Sequence, residues 1–186
     1  MISMELLNAI KGRRSIRSYK PDPVSAADLQ YILEAAQWAP SWANMQCWEF
    51  IIVQDAAIKQ RLAETLPEKN PARGACAQAP IIIAACAVTG KSGFFKGSPV
   101  TDKGDWLLFD LGLALQNLTL AAYEKGLGTV HVGFFDSVKA GAVLGVPEGH
   151  TVVELLPLGH PAEEGRVTPR KPIGEFVFYN GYGRKA

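Results

Sequence analysis

The chain has few cysteines, and they fall in no pattern that holds a metal or a disulfide framework. The three that are present, Cys47, Cys76 and Cys86, are odd in number and lack CxxC spacing. Zinc sites and disulfide-stabilised folds depend on such patterns, so neither is expected, and no metal ligand set is indicated. We expect three small thiols, buried or half-buried, in a reducing compartment.

An excess of charge of either sign is also missing. The chain has 19 Lys and Arg residues against 18 Asp and Glu residues, which gives a formal net charge of +1. A nucleic-acid-binding protein needs a basic surface to neutralise phosphates, so nucleic acid is excluded as the main partner. An anion can bind only where basic side chains form a local cluster.

Long apolar runs are absent as well. The longest run, from Ala79 to Val88, has the length of a strand, and no segment approaches the ~20 apolar residues of a membrane-spanning helix. The N-terminal sequence MISMELLNAIKGRRSIRSYK lacks the apolar segment and cleavage site of a secretory signal. We therefore expect a cytoplasmic protein with no membrane partner.

Familiar catalytic motifs are not present. No GxSxG motif occurs, and His131, His150 and His160 are too widely spaced for a metal site. The glycines of the segment 126–133 follow a predicted helix and precede a predicted strand, whereas a GxGxxG fingerprint follows a strand and opens a helix. The sequence thus excludes the usual hydrolase and dinucleotide signatures.

The sequence does contain alternating helix and strand patterns over one expected domain, residues 1–186. Apolar residues at helical spacing alternate with short runs rich in β-branched and aromatic residues, and this mixture predicts an α+β fold. Ser25 and Ser137 are predicted helix N-caps, Ser25 with Asp28 as its capping-box partner. Helices are predicted over 4–12, 26–38, 56–66, 105–125 and 138–144, a helical or irregular segment over 70–77, and strands over 48–53, 81–88, 129–132, 151–158 and 175–179.

Two neighbouring segments in the middle of the chain are unusual. Gly90 to Gly104 is predicted to be a loop, contains Phe94 and Phe95, and has a length that is usually functional or disordered. The helix from Asp105 to Lys125 is apolar on several faces, so we expect it to be buried on most sides.

Basic side chains cluster at one place, directly after the first helix. Arg13, Arg14 and Arg17 lie within five residues and would repel one another unless an anion or carboxylates lie between them. Guanidinium groups match the geometry of phosphate, and the Ser15 hydroxyl adds a donor. A solvated basic turn that pairs with nearby acids explains the spacing equally well. A second basic pair, Arg170 and Lys171, lies between two prolines and indicates either a rigid cation site or a basic linker.

A polar loop from Pro40 to Trp48 lies between an apolar helix and an apolar strand. Asn44 and Gln46 each carry a donor and an acceptor, as the edge of a heterocycle with alternating N–H and C=O groups requires. Taken alone, the loop is explained more simply by amides that satisfy its own backbone. Gly133, at the end of a predicted strand, is a point where another group can approach the backbone closely.

Taken in order, these segments resemble the nitroreductase family of FMN enzymes over almost the whole chain. The first block is LLNAIKGRRSIRSYKPDPVSAADLQYILEAAQWAPSWANMQCWEFIIV, the second is DLGLALQNLTLAAYEKGLGTVHVGFFD and the third is LGHPAEEGRVTPRKPIGEFV. The resemblance implies a sandwich in which helices cover both faces of a mixed, mostly antiparallel sheet. It also implies an intertwined homodimer around the helix from Asp105 to Lys125, with two FMN molecules at the interface.

The resemblance also assigns roles to the candidate residues. The FMN phosphate and ribityl chain would be held by Arg13, Ser15 and Arg17, with Arg14 at the ring or the phosphate and Arg170 and Lys171 reaching the same phosphate. Ser41, Trp42 and Asn44 would come from the other subunit, and Gln46 would bond the pyrimidine edge of the ring. Residues Val130, His131, Val132, Gly133 and Phe134 would lie against the ring, with backbone N–H groups near N5.

The activity that the resemblance implies is transfer of hydride from NADH or NADPH through flavin N5 to nitroaromatics, quinones or similar small acceptors, in a ping-pong cycle. Trp42 from the loop, and Phe94 or Phe95 from the Gly-rich segment, are candidates to cover the ring and bind the acceptor. Alternatively, Phe94 and Phe95 attach their loop to the core.

Three departures from the family pattern concern the acceptor. They are Cys47 where proline is usual, the bulky Trp42, and His131 at a variable position. A specialised dehalogenase, enone reductase or dehydrogenase, and a non-catalytic flavin-binding protein, are the alternatives. Neither the acceptor nor the choice between NADH and NADPH can be derived from the sequence.

Overall fold

The computed structural model describes residues 4–185. In that part of the chain the helices are α1 (Leu6–Gly12), α2 (Ala26–Gln37), α3 (Ala56–Ala63), α4 (Arg73–Gln78), α5 (Leu107–Glu124), α6 (Ser137–Leu144) and α7 (Ile173–Phe176). The strands are β1 (Trp48–Val53), β2 (Ile81–Val88), β3 (Phe94–Phe95), β4 (Ser98–Pro99), β5 (Gly128–Thr129) and β6 (His150–Gly159). None of these helices is both long and apolar enough to cross a membrane.

Four strands form the main sheet, in the order β1-β2-β6-β5. Each neighbouring pair in this order is antiparallel. A parallel bridge between Ser15 and Thr129 adds the segment after α1 to the β5 edge. The sheet is therefore mixed and mostly antiparallel, as expected.

Strand β2 separates two hydrophobic cores. Ile81 and Ile83 face the core formed with α2 and α5, whereas Ile82 and Ala84 face the core formed with α3, α4 and α6. A strand that is buried on both faces is apolar at successive positions, which is why its bounds could be predicted from the sequence. The two cores confirm the sandwich with helices on both faces of the sheet.

The helix N-caps follow the expected chemistry at one of the two predicted positions. The Ser25 hydroxyl accepts a hydrogen bond from the Asp28 N–H at 3.0 Å, so this cap is confirmed. The prediction for Ser137 is wrong, because the Asp136 carboxylate accepts from the Lys139 N–H at 3.0 Å and caps α6 one residue earlier. Asp and Ser cap helices about equally well, so the sequence alone did not decide between these neighbours.

Other predictions differ from the structure in type or extent. The segment 90–104 contains the β3–β4 hairpin instead of being a loop throughout, and the predicted strand 129–132 is reduced to β5 and a bridge from Val132 to Leu155. The predicted strand 175–179 is wrong: it overlaps α7 and an irregular segment. A strand needs a partner for its backbone groups, and no strand within residues 4–185 pairs with this segment. Several helix ends are displaced by a few residues, notably those of α1, α3 and α4.

Helix α5 is buried on only part of its circumference. Leu111, Leu115 and Leu118 lie in the core, while Leu108 is 66% and Phe109 57% exposed. The expectation of burial on most sides is therefore wrong for the single chain. No element within residues 4–185 covers this second face, which leaves large apolar side chains in contact with solvent.

All three cysteines are free and buried, in agreement with the expected role as small core residues. Burial raises the pKa of Cys76 to about 12 and is the largest cause that raises the pKa of Cys47 and Cys86 to about 11. These thiols are consequently protonated near neutral pH and are poor nucleophiles.

Gly128 allows the segment after α1 to pack closely on β5. A Cβ at this position would lie 2.7 Å from Ile16 Cγ1 and 2.9 Å from Ile16 Cβ. We expect Gly128→Ala to lower the free energy of unfolding by about 1–3 kcal/mol, because Ile16 must move out of a packed site. Chemical denaturation at one fixed protein concentration measures this change.

The matched control is Gly141→Ala in α6, where a new Cβ would meet only Val146 Cβ, at 3.8 Å. Removing a helical glycine there should stabilise the protein by roughly 0.5–1 kcal/mol. Equal stability of Gly128→Ala and the wild type would show that the close approach to Ile16 is unimportant.

Candidate functional site

The basic turn after α1 is attached to the edge of the main sheet. The Ile16 N–H donates to the Thr129 carbonyl at 2.9 Å, and the Lys20 N–H donates to the His160 carbonyl at 2.8 Å. The Ile16 side chain is buried against β5, so the extended backbone leaves Ser15 and Arg17 on the outer side. The fold therefore presents the turn along one edge of the sheet.

Arginines from two distant parts of the sequence converge at this edge. They line a cleft of about 390 Å³ whose walls are Arg13, Arg14, Ser15, Arg17, Pro71, Arg166, Thr168 and Arg170. The residue patterns alone left open whether the two basic segments meet, whereas the family resemblance implied that they reach the same phosphate. Arg166 was missed; it lies in the same polar segment as Arg170. Lys171 is exposed beside Arg170 and does not line the cleft.

The five guanidinium groups of the cleft lack carboxylate partners. No ion pair within residues 4–185 involves any of them. Arg14 donates to the carbonyls of Lys11 and Arg13 at 2.6 and 2.8 Å, and Arg170 donates to the Thr168 hydroxyl at 2.7 Å. The Glu163 carboxylate accepts from the backbone N–H of Arg17 at 2.9 Å. Arg14 and Arg170 are thus held by nearby carbonyl and hydroxyl oxygens, and none of the five side chains forms an ion pair within residues 4–185.

Arg13 has the most unfavourable environment in the cleft. Its Nη1 atom is buried and has no hydrogen-bond partner within residues 4–185. Burial lowers the pKa of Arg13, and the charges of Arg170 and Arg14 lower it further. A bound anion would satisfy the free donor and reduce the repulsion. The geometry therefore favours an anion site over a solvated basic turn.

The polar loop from Pro40 to Trp48 lies beside the N-terminal part of α5. The Trp42 N–H donates to Asp110 Oδ1 at 2.9 Å. Within the loop, the Gln46 N–H donates to the Ser41 hydroxyl at 2.9 Å and Gln46 Nε2 donates to Asn44 Oδ1 at 3.0 Å. Part of the loop's hydrogen-bonding capacity is therefore used within the loop, as expected if its amides satisfy its own backbone.

This loop is nevertheless strained and open to solvent. Ala43, Asn44 and Gln46 have φ values of 46°, 56° and 46°, in the left-handed region that residues other than glycine rarely adopt. Asn44 and Gln46 are exposed and line, together with Trp38, a separate cleft of about 350 Å³. Strained backbone of this kind is concentrated at ligand sites.

The arginine cleft and the polar loop lie at opposite ends of α5. Arg14 shares a groove with Tyr123 near the C-terminal end of the helix, whereas the loop is bound to Asp110 near the N-terminal end. Asp110 and Tyr123 are 13 positions apart, which corresponds to ~20 Å along a helix. One chain therefore does not bring these two predicted halves of a site together.

The segment Val130 to Phe134 continues the sheet edge that carries the basic turn. Val130 and Val132 are buried, and Val132 exchanges two backbone hydrogen bonds of 3.1 Å with Leu155. His131, Gly133 and Phe134 are exposed, and a Cβ at Gly133 would meet no protein atom within 4 Å. This segment and the arginine cleft thus form one continuous edge.

Two side chains near the candidate site have partners that the sequence did not reveal. His131 Nδ1 contacts a carboxylate oxygen of Glu154 on β6. Phe95 is 65% exposed in the β3–β4 hairpin, and Lys96 Nζ lies 5.4 Å from its ring centre, whereas Phe94 is half-buried. Phe95 therefore does not attach the hairpin to the core.

Comparison with known proteins agrees with this fold. The family model described as "Nitroreductase family" matches residues 10–160. The chain belongs to the nitroreductase family. This nitroreductase-family chain is 34% identical to the FMN reductase [NAD(P)H] of Bacillus subtilis, over 90% of the chain and 70% of that protein. It is 30% identical to an NADH dehydrogenase of Thermus thermophilus, over 90% and 92% of the two sequences.

A solved structure shows the same architecture. The nitroreductase family protein from Clostridium novyi NT superposes with a TM-score of 0.77 and 29% sequence identity. The match covers 98% of this chain and 97% of the other. The α+β sandwich is therefore the fold of the nitroreductase family.

The arginine side chains of the cleft form no ion pairs within residues 4–185, and this leads to a prediction about anions. We expect inorganic phosphate to raise the melting temperature of ligand-free protein, because an anion that binds only the folded state stabilises it. Arg13→Gln should lose most of this rise, yet melt at the same or a higher temperature without phosphate, since a buried, unpartnered charge has been removed. Thermal unfolding in chloride and phosphate buffers of equal ionic strength measures both effects.

Arg61→Gln on α3 is the matched control, because this arginine lies outside the cleft. It should respond to phosphate as the wild type does. A full phosphate response in Arg13→Gln would contradict the assignment of Arg13 to an anion site.

Proposed function

We propose that this chain is an FMN-dependent oxidoreductase that oxidises NADH or NADPH and reduces electron-poor small molecules such as nitroaromatics and quinones. The observation that carries the proposal is the cleft of arginines without carboxylate partners, next to the open segment Val130 to Phe134. A relative named FMN reductase [NAD(P)H] in the same family supports it.

The residues of the cleft fit the phosphate end of FMN. Arg13, Arg17 and Arg170 supply cationic forks, the Ser15 hydroxyl adds a neutral donor, and the unpartnered Nη1 of Arg13 is a ready donor to a phosphate oxygen. Arg14 would contact the phosphate or the ring, and Arg166, which also lines the cleft, adds a further charge. Lys171 adds positive potential from outside the cleft.

The ring end of the cofactor fits the exposed segment that follows β5. Here the backbone of Gly133 is open to an approaching group, with no Cβ to obstruct it. His131, paired with Glu154, borders this space. When bound, FMN supplies the hydride-accepting and hydride-donating chemistry, while the protein holds the ring and limits what can stack on it. Because the flavin carries the reaction, no side chain is assigned as a catalytic acid, base or nucleophile.

The complete site is formed by two subunits. Ser41, Trp42, Asn44 and Gln46 belong to the loop that is bound to Asp110, ~20 Å along α5 from Tyr123 and the groove that contains Arg14 of the same chain. The exposed apolar face of α5, with Leu108 and Phe109, is the surface that a second copy would cover. Further exposed apolar side chains that a partner could cover occur in α1 and in the C-terminal segment: Leu6, Leu7, Ile10, Ile173 and Phe176. A homodimer would place the loop of each subunit at the flavin ring of the other.

Cofactor identity is the first test. Protein purified without added flavin should be yellow and should release FMN, rather than FAD or riboflavin, on heating and chromatography. Arg17→Ala should lower FMN affinity by roughly tenfold to a hundredfold, since a hydrogen bond to a charged group contributes about 1.5–3 kcal/mol. Riboflavin, which lacks the phosphate, should bind the variant and the wild type alike.

Two controls separate the possible outcomes. Arg61→Ala removes a cation from α3 and should leave FMN affinity unchanged. Equal losses of FMN and riboflavin in Arg17→Ala would show that Arg17 does not contact the phosphate, and absence of any flavin uptake contradicts the proposal as a whole. Under anaerobic conditions NADH or NADPH should bleach the yellow protein; resistance to both would indicate a non-catalytic flavin-binding protein.

The shared site predicts complementation between two defective variants. Arg17→Ala damages the phosphate half of the site, and a variant with Asn44→Ala and Gln46→Ala damages the half expected from the partner. Each homodimer should have low activity. Random exchange of subunits makes half of the dimers mixed, and each mixed dimer has one intact site, so about a quarter of wild-type activity should return.

The two variants are denatured together and refolded by dilution. Acceptor assays then measure activity, and mass measurement shows whether dimers have formed. Each variant refolded alone is the control. If the dimers exchange subunits but no activity returns, both halves of the site come from one chain and the shared-site proposal is wrong.

A further inference from the structure

Asp110 connects three segments that are distant in the sequence. It is fully buried in α5, with 0% exposure. Its Oδ1 accepts from the Trp42 N–H at 2.9 Å, and its Oδ2 accepts from the Ser92 hydroxyl at 2.5 Å and from the Cys47 thiol at 3.8 Å. Both carboxyl oxygens are thus engaged by groups outside the helix.

The segments bound to Asp110 carry the aromatic side chains expected to cover the flavin ring. Trp42 lies in the polar loop, and Ser92 lies at the base of the hairpin that presents Phe94 and Phe95. Ser92 is itself fully buried, and its carbonyl accepts from the Trp106 N–H at 3.0 Å. The base of the hairpin is therefore fixed, while Phe95 at its tip is exposed.

The three hydrogen bonds depend on one another. A carboxyl group in the protein interior needs all its donors, because an unsatisfied buried polar group is costly and a low dielectric strengthens each remaining contact. Cys47 remains a donor because burial, followed by the charge of Asp110, raises the pKa of its thiol to about 11. Loss of the Ser92 hydroxyl would leave Oδ2 with only the weak thiol donor, so the carboxyl group would turn or recruit water and disturb the bond to Trp42.

We propose that Asp110 is a positioning residue that couples the polar loop, residues 41–47, to the base of the hairpin, residues 90–104. The two segments then move as one unit and set the geometry of the wall against which the acceptor binds. The coupling itself follows from the contacts of Asp110, and only its effect on the acceptor rests on the proposed function.

Amide hydrogen exchange on the intact protein tests the coupling without an activity measurement. We expect Ser92→Ala to accelerate exchange in 90–104 and also in 41–47, by roughly tenfold to a hundredfold, although Ser92 makes no hydrogen bond to the polar loop. Asp110→Asn should accelerate both segments at least as much. If Asp110→Asn does not fold, Ser92→Ala still decides the question.

Thr119→Val is the matched control. Thr119 is also buried in α5 with 0% exposure, but its hydroxyl donates to the Gln116 carbonyl within the helix, at 3.1 Å. It should leave exchange in 41–47 close to that of the wild type. Acceleration confined to 90–104 in Ser92→Ala, or equal acceleration of 41–47 in Thr119→Val, overturns the coupling.

A kinetic comparison tests the consequence for the acceptor. Ser92→Ala should raise the acceptor KM severalfold while protein saturated with FMN keeps its full flavin content, because Ser92 lies outside the arginine cleft proposed to hold the phosphate. A general loss of stability would instead lower the FMN content of the saturated protein. If exchange in 41–47 increases but the acceptor KM does not, the coupling holds and the role of this wall in acceptor binding is wrong.

Discussion

The hydrogen bond from the Ile16 amide to the Thr129 carbonyl attaches the basic turn to the sheet, and the candidate site depends on it. Glycine at position 128 makes this close approach possible, since a Cβ there would overlap Ile16. With the backbone held in this way, Arg13 stays close to Arg14 and Arg170, whose charges repel its own. The sheet edge therefore keeps a cluster of cations that is stable only because the fold imposes it, and an anion is the natural complement.

Helix α5 organises the rest of the site by its length and stiffness. Its C-terminal part packs beside the basic turn, and its N-terminal part holds the polar loop and the hairpin through Asp110. Because a helix cannot shorten, these two groups stay ~20 Å apart in one chain. The same helix leaves Leu108 and Phe109 exposed. The proposed homodimer would account both for the separation of the arginine cleft from the polar loop and for the uncovered apolar face.

Membership of the nitroreductase family and the local electrostatics support the same chemistry by independent routes. The family model covers residues 10–160, which excludes Arg166 and Arg170, yet these two arginines complete the cleft. A near-neutral chain with five arginines in one cleft concentrates its positive potential where a phosphate group can use it. The flavin ring then needs little from the protein beyond position, which agrees with the lack of a catalytic triad.

Features that depend on local periodicity and on short motifs could be predicted from the sequence. Continuous apolar residues predicted β2, Ser25 and Asp28 predicted the start of α2, and Arg13 to Arg17 predicted a local cation cluster. Each of these signals lies within one turn or one strand. The resemblance to the nitroreductase family was likewise visible in three contiguous blocks.

Contacts between residues far apart in the chain could be seen only in the folded structure. Arg166 lines the cleft, and Asp110 contacts Trp42 and Ser92, because the chain folds back on itself. No local sequence pattern predicts these contacts. The segment 175–179 has the composition of a strand, but a strand also requires a neighbour for its backbone hydrogen bonds, and none within residues 4–185 pairs with it. Composition sets what a segment is able to form, and the available partners determine which structure it adopts.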